Sequence, residues 1–238
     1  KDMKYLKRAV SGKAFHGKGG ILSFSEIIGK PYGVMYGNYA VFQPTVEDII
    51  MYGVRRETQI VFPKDGFFIP HKLNLYNGSK VMEVGAGSGA LTILFSGAVG
   101  KDGSVVSFEK ELRHYRNAKK NVESFLDYPN VELHHADIMD FEGSDFDAAF
   151  IDVREPWMYI RKVRGSLKNS ASIGMIVPTA NQVAEILQTI HEGYGLVEVI
   201  LRKYKTVAER VRPEDRMIGH TGYLIFGRKI DSSISGEE

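Results

Sequence analysis

The chain has 238 residues, 31 Lys+Arg against 29 Asp+Glu, a formal net charge of +2 and 43% hydrophobic residues, which is typical of a globular protein with a sizeable core and not of a disordered or fibrous one. It contains no cysteine, which excludes disulfide scaffolds, Cys-ligated zinc, iron–sulfur clusters and thiol nucleophiles. No apolar run approaches the about 18 residues of a membrane helix, and residues 1–20 lack the apolar stretch of a signal peptide, so we expect a cytoplasmic protein.

Residues 1–45 predict a small β-rich domain. Two short β-favouring runs, residues 33–36 and 39–42, are separated by the turn residues Gly37 and Asn38. We expect this segment to be an appendage of the larger domain that follows it.

Residues 46–230 predict that larger domain, because apolar runs of strand length alternate with segments of helical period. This alternation is typical of an α/β fold with a parallel sheet. The predicted strands span residues 80–85, 104–109, 131–134, 147–152, 173–177, 196–201 and 223–226. The predicted helices span residues 90–98, 111–126, 157–167 and 183–190, and a long loop without helical period precedes the last strand. Residues 231–238 are expected to form a disordered tail.

A glycine-rich turn between the first predicted strand and helix is the sharpest local signal. It reads Gly85-Ala86-Gly87-Ser88-Gly89, and its glycines permit a tight turn and a close approach to a ligand. Glu109 ends the next predicted strand, where its two carboxylate oxygens can accept hydrogen bonds from both hydroxyls of a ribose. The spacing fits a dinucleotide site as well as an S-adenosylmethionine site, so the turn alone leaves both open.

Acidic residues also end the third and fourth predicted strands. Asp137 is placed where a carboxylate can accept from an adenine amino group, and Asp152 lies at the edge where open α/β sheets hold their ligands. Each acid taken alone has an alternative interpretation as a helix cap or a loop charge. Three strand-end acids together favour S-adenosylmethionine over a nicotinamide cofactor.

Four stretches then resemble one family, the tRNA (adenine-N1)-methyltransferases that modify the T-loop. They are residues 15–21 with 28–31, residues 56–65, the glycine-rich turn, and residues 152–157 with 219–223. The resemblance covers roughly residues 15–229. It implies a Rossmann-like class I methyltransferase fold, a seven-stranded mostly parallel sheet with helices on both faces, S-adenosyl-L-methionine as cofactor, tRNA as partner, a homotetramer and no metal.

The resemblance also implies roles for individual residues. Asp152 is the expected catalytic residue, and it is also expected to contact the cofactor. The other implied cofactor contacts are Gln59, Val61, Gly85, Ala86, Gly87, Ser88, Gly89, Glu109, His114, Asp137 and Ile138. The expected substrate contacts are Phe62, Arg154, Trp157, Arg216, His220 and Tyr223. Phe62 departs from the family pattern, which often has tyrosine here, so a stacking ring is kept and a hydroxyl is lost.

The implied reaction needs little chemistry from the protein, because the N1 lone pair of adenine attacks the sulfonium methyl directly. Orientation alone can contribute about 7–11 kcal/mol to lowering such a barrier. Asp152 is expected to accept from the exocyclic amino group and so position the base.

Two segments are enriched in basic residues and are expected to contact RNA phosphates, or else to form solvated loops. Their basic residues are Lys1, Lys4, Lys7, Arg8, Lys13 and Lys18 in the first and Arg202, Lys203, Lys205, Arg210, Arg212 and Arg216 in the second. The alternative functions are a class I methyltransferase that acts on a protein or small molecule, a catalytically silent tRNA-binding subunit, and an NAD-dependent oxidoreductase.

Overall fold

The computed structural model describes residues 3–126, 130–190 and 194–231, so the expected tail beyond Asp231 lies outside the described residues. The chain forms two compact units, Lys1–Val54 and Arg55–Glu238. The division follows Val54 rather than residue 45, because the helical turns α1 (Val46–Asp48) and Ile49–Gly53 belong to the first unit. Thr45 and Asp48 form a capping box at α1, and Lys4 lies 3.5 Å from the Asp48 carboxylate.

The first unit contains two antiparallel hairpins. In one, β1 (Ala14–Gly17) pairs with β2 (Gly20–Ser23), and in the other β3 (Val34–Tyr36) pairs with β4 (Tyr39–Val41). The second hairpin turns at Gly37 and Asn38 as predicted, with Gly37 in the left-handed region at φ 58°. The small β-rich N-terminal element is therefore confirmed.

The second unit is built on a seven-stranded sheet, which confirms the predicted Rossmann-like α/β fold. The strands lie in the order β10-β13-β9-β8-β5-β6-β7. The five strands β9, β8, β5, β6 and β7 run parallel to one another, whereas β13 is antiparallel to both of its neighbours, β9 and β10. Their bounds are β5 Lys80–Val84, β6 Ser104–Phe108, β7 Val131–His134, β8 Phe146–Ile151, β9 Leu167–Val177, β10 Gly195–Val197 and β13 Tyr223–Arg228.

Helices cover both faces of this sheet. They are α2 (Pro63–Gly66), α3 (Phe68–Lys72), α4 (Ala90–Val99), α5 (Leu112–Phe125), α6 (Ile160–Ser166) and α7 (Ala180–Thr189). Side chains alternate along β5, so Met82 and Val84 belong to the apolar cluster with residues of α6 and α7, while Glu83 bonds to Thr92 of α4. No helix among the described residues is long and apolar enough to cross a membrane.

Three local predictions were wrong. The predicted helix over residues 157–167 ends at Ser166, and Leu167 already begins β9, because it pairs with Phe146 of β8. The strand predicted over residues 196–201 ends at Val197, since only Gly195–Val197 pair with β13. The loop predicted before the last strand contains a short hairpin, β11 (Tyr204–Lys205) with β12 (Arg212–Pro213).

The strand order also fixes where a ligand can bind. The chain runs from β5 outward through β6 to β7 and then returns to place β8 on the other side of β5. This reversal opens a crevice at the carboxyl ends of β5 and β8, which is the ligand position in open α/β sheets.

Candidate functional site

The glycine-rich turn connects β5 to α4 in a conformation that only glycine adopts easily. Gly85, Gly87 and Gly89 have φ values of 97°, 56° and 76°. A Cβ on Gly85 would lie 2.2 Å from the carbonyl oxygen of Asp152, and one on Gly89 would lie 3.3 Å from the backbone of Ala118 in α5. The turn therefore allows the loop after β8 to approach β5 closely.

Two neighbouring segments hold the turn in place. The Glu109 carboxylate accepts hydrogen bonds from the backbone N–H groups of Gly87 and Glu111, both at 2.9 Å. The Ser88 hydroxyl accepts from the backbone of Glu57 at 3.2 Å and lies 3.1 Å from the Thr58 hydroxyl. Glu109 therefore stabilises the loop, while each of its oxygens keeps a lone pair that a ligand hydroxyl can use.

The predicted strand-end acids Glu109, Asp137 and Asp152 line one open cleft at the carboxyl ends of the parallel strands. Asp137 also accepts from the Met139 backbone at 3.0 Å, so it caps a helical turn while it lines the cleft. The cleft is lined by Val84, Gly85, Phe108, Glu109, Lys110, Ala136, Asp137, Ile138, Asp152, Val153 and Tyr159.

Burial raises the pKa of two carboxyl groups at this edge, those of Asp152 and Glu83. Burial, together with the charge of Glu109, raises the pKa of Asp152 to about 7, although Asp152 remains partly exposed to the cleft. Burial raises the pKa of Glu83 to about 7 as well, and Asp152 and Glu109 add to this. Thr92 and Ser107 both donate to one Glu83 oxygen, at 2.6 and 2.5 Å. The other oxygen is buried and has no partner among the described residues, so the group favours its neutral form.

Glu83→Gln is expected to flatten the pH dependence of stability in the cofactor-free protein. An acid whose pKa is higher in the folded than in the unfolded state destabilises the fold as it ionises, so stability falls as pH rises. A rise from 4.5 to about 7 corresponds to roughly 3 kcal/mol lost from the unfolding free energy across that interval. Urea denaturation at pH 5 and pH 8 measures this loss.

The exposed acid Glu142 supplies the matched control. Glu142→Gln is expected to retain the wild-type pH dependence, because that side chain is already in water. Equal slopes for wild type and Glu83→Gln would contradict the proposed neutral Glu83.

Not every predicted cofactor residue lines the cleft. Gln59 is exposed and Val61 is buried, and both follow Thr58, which contacts the glycine-rich turn. Ala86 and Ser88 are buried within the turn itself. His114 lies half-buried on α5 and is not among the residues that line the cleft.

The predicted substrate residues are more dispersed. Phe62 directly precedes α2, Trp157 is half-buried against the apolar cluster, and Tyr223 begins β13. Arg154 and Arg216 are exposed. His220 is held at both ring nitrogens: Nδ1 lies 2.6 Å from the Glu198 carboxylate and Nε2 lies 2.9 Å from the Pro178 carbonyl. First the Pro178 carbonyl and then Glu198 raise the pKa of His220, so the imidazolium donates to both.

The structure adds residues that the sequence did not single out. Lys110 and Tyr159 line the cleft, and nothing in their local pattern signals this position. Glu83 could have been noticed as an acid inside an apolar strand. Asp65 is fully buried beside Lys64 and Thr221, a contact between segments that lie far apart in the sequence.

Comparison with known proteins gives concordant results. Residues 37–212 match the family described as the tRNA methyltransferase complex GCD14 subunit. The tRNA (adenine(58)-N(1))-methyltransferase TrmI of Thermus thermophilus is 28% identical and aligns with 98% of this chain and 95% of its own length. The solved TrmI of Aquifex aeolicus is 43% identical, with a TM-score of 0.89 over 98% of this chain and 95% of that one. A solved SAM-dependent O-methyltransferase of Thermotoga maritima is 34% identical, with a TM-score of 0.88 over 98% and 90%. The chain therefore belongs to the GCD14 family of tRNA methyltransferase subunits.

Proposed function

We propose that this protein transfers a methyl group from S-adenosylmethionine to N1 of adenine in the T-loop of tRNA, with adenine 58 as the target. The observation that carries the proposal is the convergence of Gly85, Glu109, Asp137 and Asp152 on one cleft. The relatives named for methylation of adenine 58 support the same reaction and position.

The cleft residues fit S-adenosylmethionine in hydrogen-bonding groups and charge. The glycine-rich turn lets the loop that carries Asp152 approach the end of β5, and Glu109 and Asp137 present acceptors for ribose and adenine. Asp152 and the buried Glu83 surround this point with carboxyl groups, and no hydrogen bond or ion pair described for them involves a lysine or arginine. Such an environment favours a cation, and S-adenosylmethionine supplies its methyl group from a positively charged sulfonium.

Asp152 is the proposed catalytic residue. Its ionised carboxylate accepts from the exocyclic amino group of the target adenine, which orients N1 and stabilises the positive charge that develops on the ring. Because burial raises the pKa of Asp152 to about 7, the ionised form becomes dominant only above neutral pH in the free protein. The aromatic rings of Phe62, Trp157 and Tyr223 are proposed to contact the target base. The side chains of Arg154, Arg216 and His220 are proposed to contact other parts of the RNA.

The reaction is tested by incubating the protein with labelled S-adenosylmethionine and an unmodified tRNA transcript. Nucleoside mass spectrometry is expected to detect 1-methyladenosine, and a transcript with guanine in place of adenine 58 is expected to yield none. Calorimetry with S-adenosylmethionine accompanies the assay. Cofactor binding without 1-methyladenosine would reject the proposed activity, and RNA binding without cofactor binding would favour a silent subunit.

O-methyl transfer is the second candidate, because one similar solved structure carries that description. A hydroxyl must lose its proton as it attacks, and Asp152 has a pKa suited to accept that proton near neutral pH. The same mass-spectrometric assay separates the two reactions, since a 2′-O-methylated nucleoside and 1-methyladenosine elute and fragment differently.

We also infer that the protein is cytoplasmic and that it forms a homotetramer, the assembly that the family resemblance implies. The apolar side chains Ile200, Leu201, Val211, Met217 and Ile218 are exposed in the single chain, and a subunit interface would cover surfaces of this kind. Light scattering coupled to size-exclusion chromatography measures the mass directly, and a monomer across micromolar concentrations would refute the assembly.

A further inference from the structure

Two buried asparagines on α5 are not among the residues assigned to the cofactor cleft. Asn117 and Asn121 lie one helical turn apart on the buried side of α5, next to Ala118 and Val122. Each asparagine is only 5% exposed. Burying a side-chain amide is costly unless its polar atoms find partners, so the partners of these two side chains indicate what they do.

Both asparagines bond to the backbone of Arg55. The Asn117 amide donates to the Arg55 carbonyl at 2.8 Å, and the Asn121 amide donates to the same carbonyl at 3.0 Å. The Asn121 oxygen accepts from the Arg55 N–H at 3.1 Å. Residues 55–61, here named the strap, belong to no helix or strand. Side chains of α5 therefore supply the hydrogen bonds that secondary structure would otherwise give to the backbone at the start of the strap.

Asn121 differs from Asn117 because it also bonds to the glycine-rich turn. Its amide nitrogen donates to the Ser88 carbonyl at 2.8 Å. Both amide protons and the oxygen of Asn121 are thus used, and one side chain joins the strap to the turn. α5 also packs against the turn directly, since a Cβ on Gly89 would lie 3.3 Å from the backbone of Ala118.

The strap is bonded to the turn a second time, a few residues further along the chain. The Ser88 hydroxyl accepts from the backbone N–H groups of Glu57 and Thr58, at 3.2 and 3.4 Å, and lies 3.1 Å from the Thr58 hydroxyl. The fit is close, because a Cβ on Gly87 would lie 2.9 Å from the Thr58 hydroxyl oxygen. The strap therefore lies directly against the turn.

The glycine-rich turn depends on such contacts for its conformation. Its glycines adopt left-handed φ values, and a glycine segment without external bonds samples many other conformations. Glu109 holds the N–H of Gly87, while the strap and Asn121 hold Ser88. A binding loop that is already ordered loses less conformational entropy when a ligand binds, so these bonds are expected to increase its affinity.

We propose that Asn121 is a positioning residue for the cofactor, because it bonds the strap to the glycine-rich turn and so holds the turn in its binding conformation. Asn117 supports the strap alone. This inference rests on the part of the proposed function that concerns S-adenosylmethionine and not on the identity of the methyl acceptor.

Asn121→Leu tests this role, because leucine has a similar size and no hydrogen-bonding groups in its side chain. We expect Kd and KM for S-adenosylmethionine to rise about tenfold, while kcat at saturating cofactor and tRNA stays within about twofold of wild type. Calorimetry and initial rates measure these values. Trypsin is also expected to cleave faster after Arg55 and Arg56, which are exposed, because the strap is less firmly held.

Asn117→Leu is the matched control. It removes an equally buried amide from the same helix, and the Arg55 carbonyl keeps its hydrogen bond from Asn121. Both variants are expected to have a lower melting temperature, but only Asn121→Leu is expected to raise Kd for S-adenosylmethionine. An equal rise in Kd for both variants, or a wild-type Kd in a folded Asn121→Leu protein, would mean that Asn121 only stabilises the fold.

Thr58→Val is a milder test that leaves α5 unchanged. It removes the hydroxyl that meets Ser88 and is expected to raise Kd for S-adenosylmethionine about threefold, and Thr58→Ser is expected to restore the wild-type Kd. Should Asn121→Leu fail to fold, an unchanged Kd in Thr58→Val would reject the proposed role of the strap.

The proposed function and this inference fail in different ways. A wild-type protein that binds S-adenosylmethionine but makes no 1-methyladenosine rejects the proposed methyl acceptor, and the comparison of Kd values still decides the role of Asn121. A wild-type protein that does not bind S-adenosylmethionine rejects both.

Discussion

Replacing Asp152 by Asn is expected to lower kcat for tRNA methylation by about 10²–10³-fold, the usual effect of removing a group that stabilises developing charge. Asparagine keeps the size of the side chain and one acceptor oxygen but loses the negative charge that stabilises the positive charge developing on the adenine ring. In wild type, kcat/KM is expected to rise with pH through about 7 as Asp152 ionises, and this rise should be absent in the variant. Initial rates with labelled cofactor measure both effects.

Stability distinguishes this loss from misfolding. The raised pKa means that the ionised Asp152 destabilises the fold, so Asp152→Asn is expected to keep or raise the melting temperature at pH 8. Asp140→Asn is the control, because Asp140 is an exposed acid in the turn after Asp137. Near-normal activity in Asp152→Asn would show that another group positions the base.

Replacing Gly85 by Ala is expected to abolish cofactor binding and to lower the unfolding free energy by about 3 kcal/mol or more, since both steric conflict and backbone strain oppose it. The new Cβ would lie 2.2 Å from the Asp152 carbonyl oxygen and 2.9 Å from a Val153 methyl group, and φ is 97°. The loops after β5 and β8 must then separate, which alters the cleft at its centre. Calorimetric titration with S-adenosylmethionine and urea denaturation measure the two losses.

Gly97→Ala is the matched control for this substitution. Gly97 lies within α4, and a Cβ there would meet nothing within 4 Å. Because alanine favours helix, this variant is expected to gain about 0.5–1 kcal/mol and to bind the cofactor normally. A Gly85→Ala protein that binds as tightly as Gly97→Ala would mean that the approach of the two loops is not required.

The carboxyl groups at the cleft link cofactor binding to the protonation state of Asp152. Glu83 lies one residue before the end of β5, and Glu109 and Asp152 directly follow the neighbouring strands β6 and β8. The pKa values of Glu83 and Asp152 are both raised to about 7. A cation bound nearby lowers the pKa of both carboxyl groups and so favours their ionised forms. Binding of the positively charged cofactor is therefore expected to favour the ionised form of Asp152, which is the form proposed to act in the reaction.

Much of this site could be predicted from the sequence, because the patterns that indicate it involve residues close together along the chain. The apolar runs and helical periods predicted all seven strands of the sheet, and β7 was predicted with its observed bounds, Val131–His134. Since parallel strands end at one edge, the acids that follow β6, β7 and β8 were expected to converge, and Glu109, Asp137 and Asp152 do line one cleft. The glycines were predicted for the same reason, because a sharp turn imposes its φ values on single residues.

The local signals failed where pairing with a distant strand decides the conformation. The helical spacing that ends at Leu167 continues past the helix, because Leu167 pairs with β8. Residues 198–201 have strand-like composition, yet Glu198 and Val199 bond to His220 and Lys64 instead of to β13. At these positions tertiary contacts override the secondary-structure propensity of the residues.

The sequence by itself determined the fold class, the order of strands and helices, the glycine-rich turn and the three strand-end acids, because these depend on residues that are neighbours along the chain. Only the tertiary structure decided that Lys110 and Tyr159 line the cleft, that one oxygen of Glu83 is buried without a partner among the described residues, and that Lys64 and Asp65 meet Thr221. Burial, charge compensation and contacts across more than 150 residues of chain depend on which segments pack together, and no spacing along the sequence specifies that.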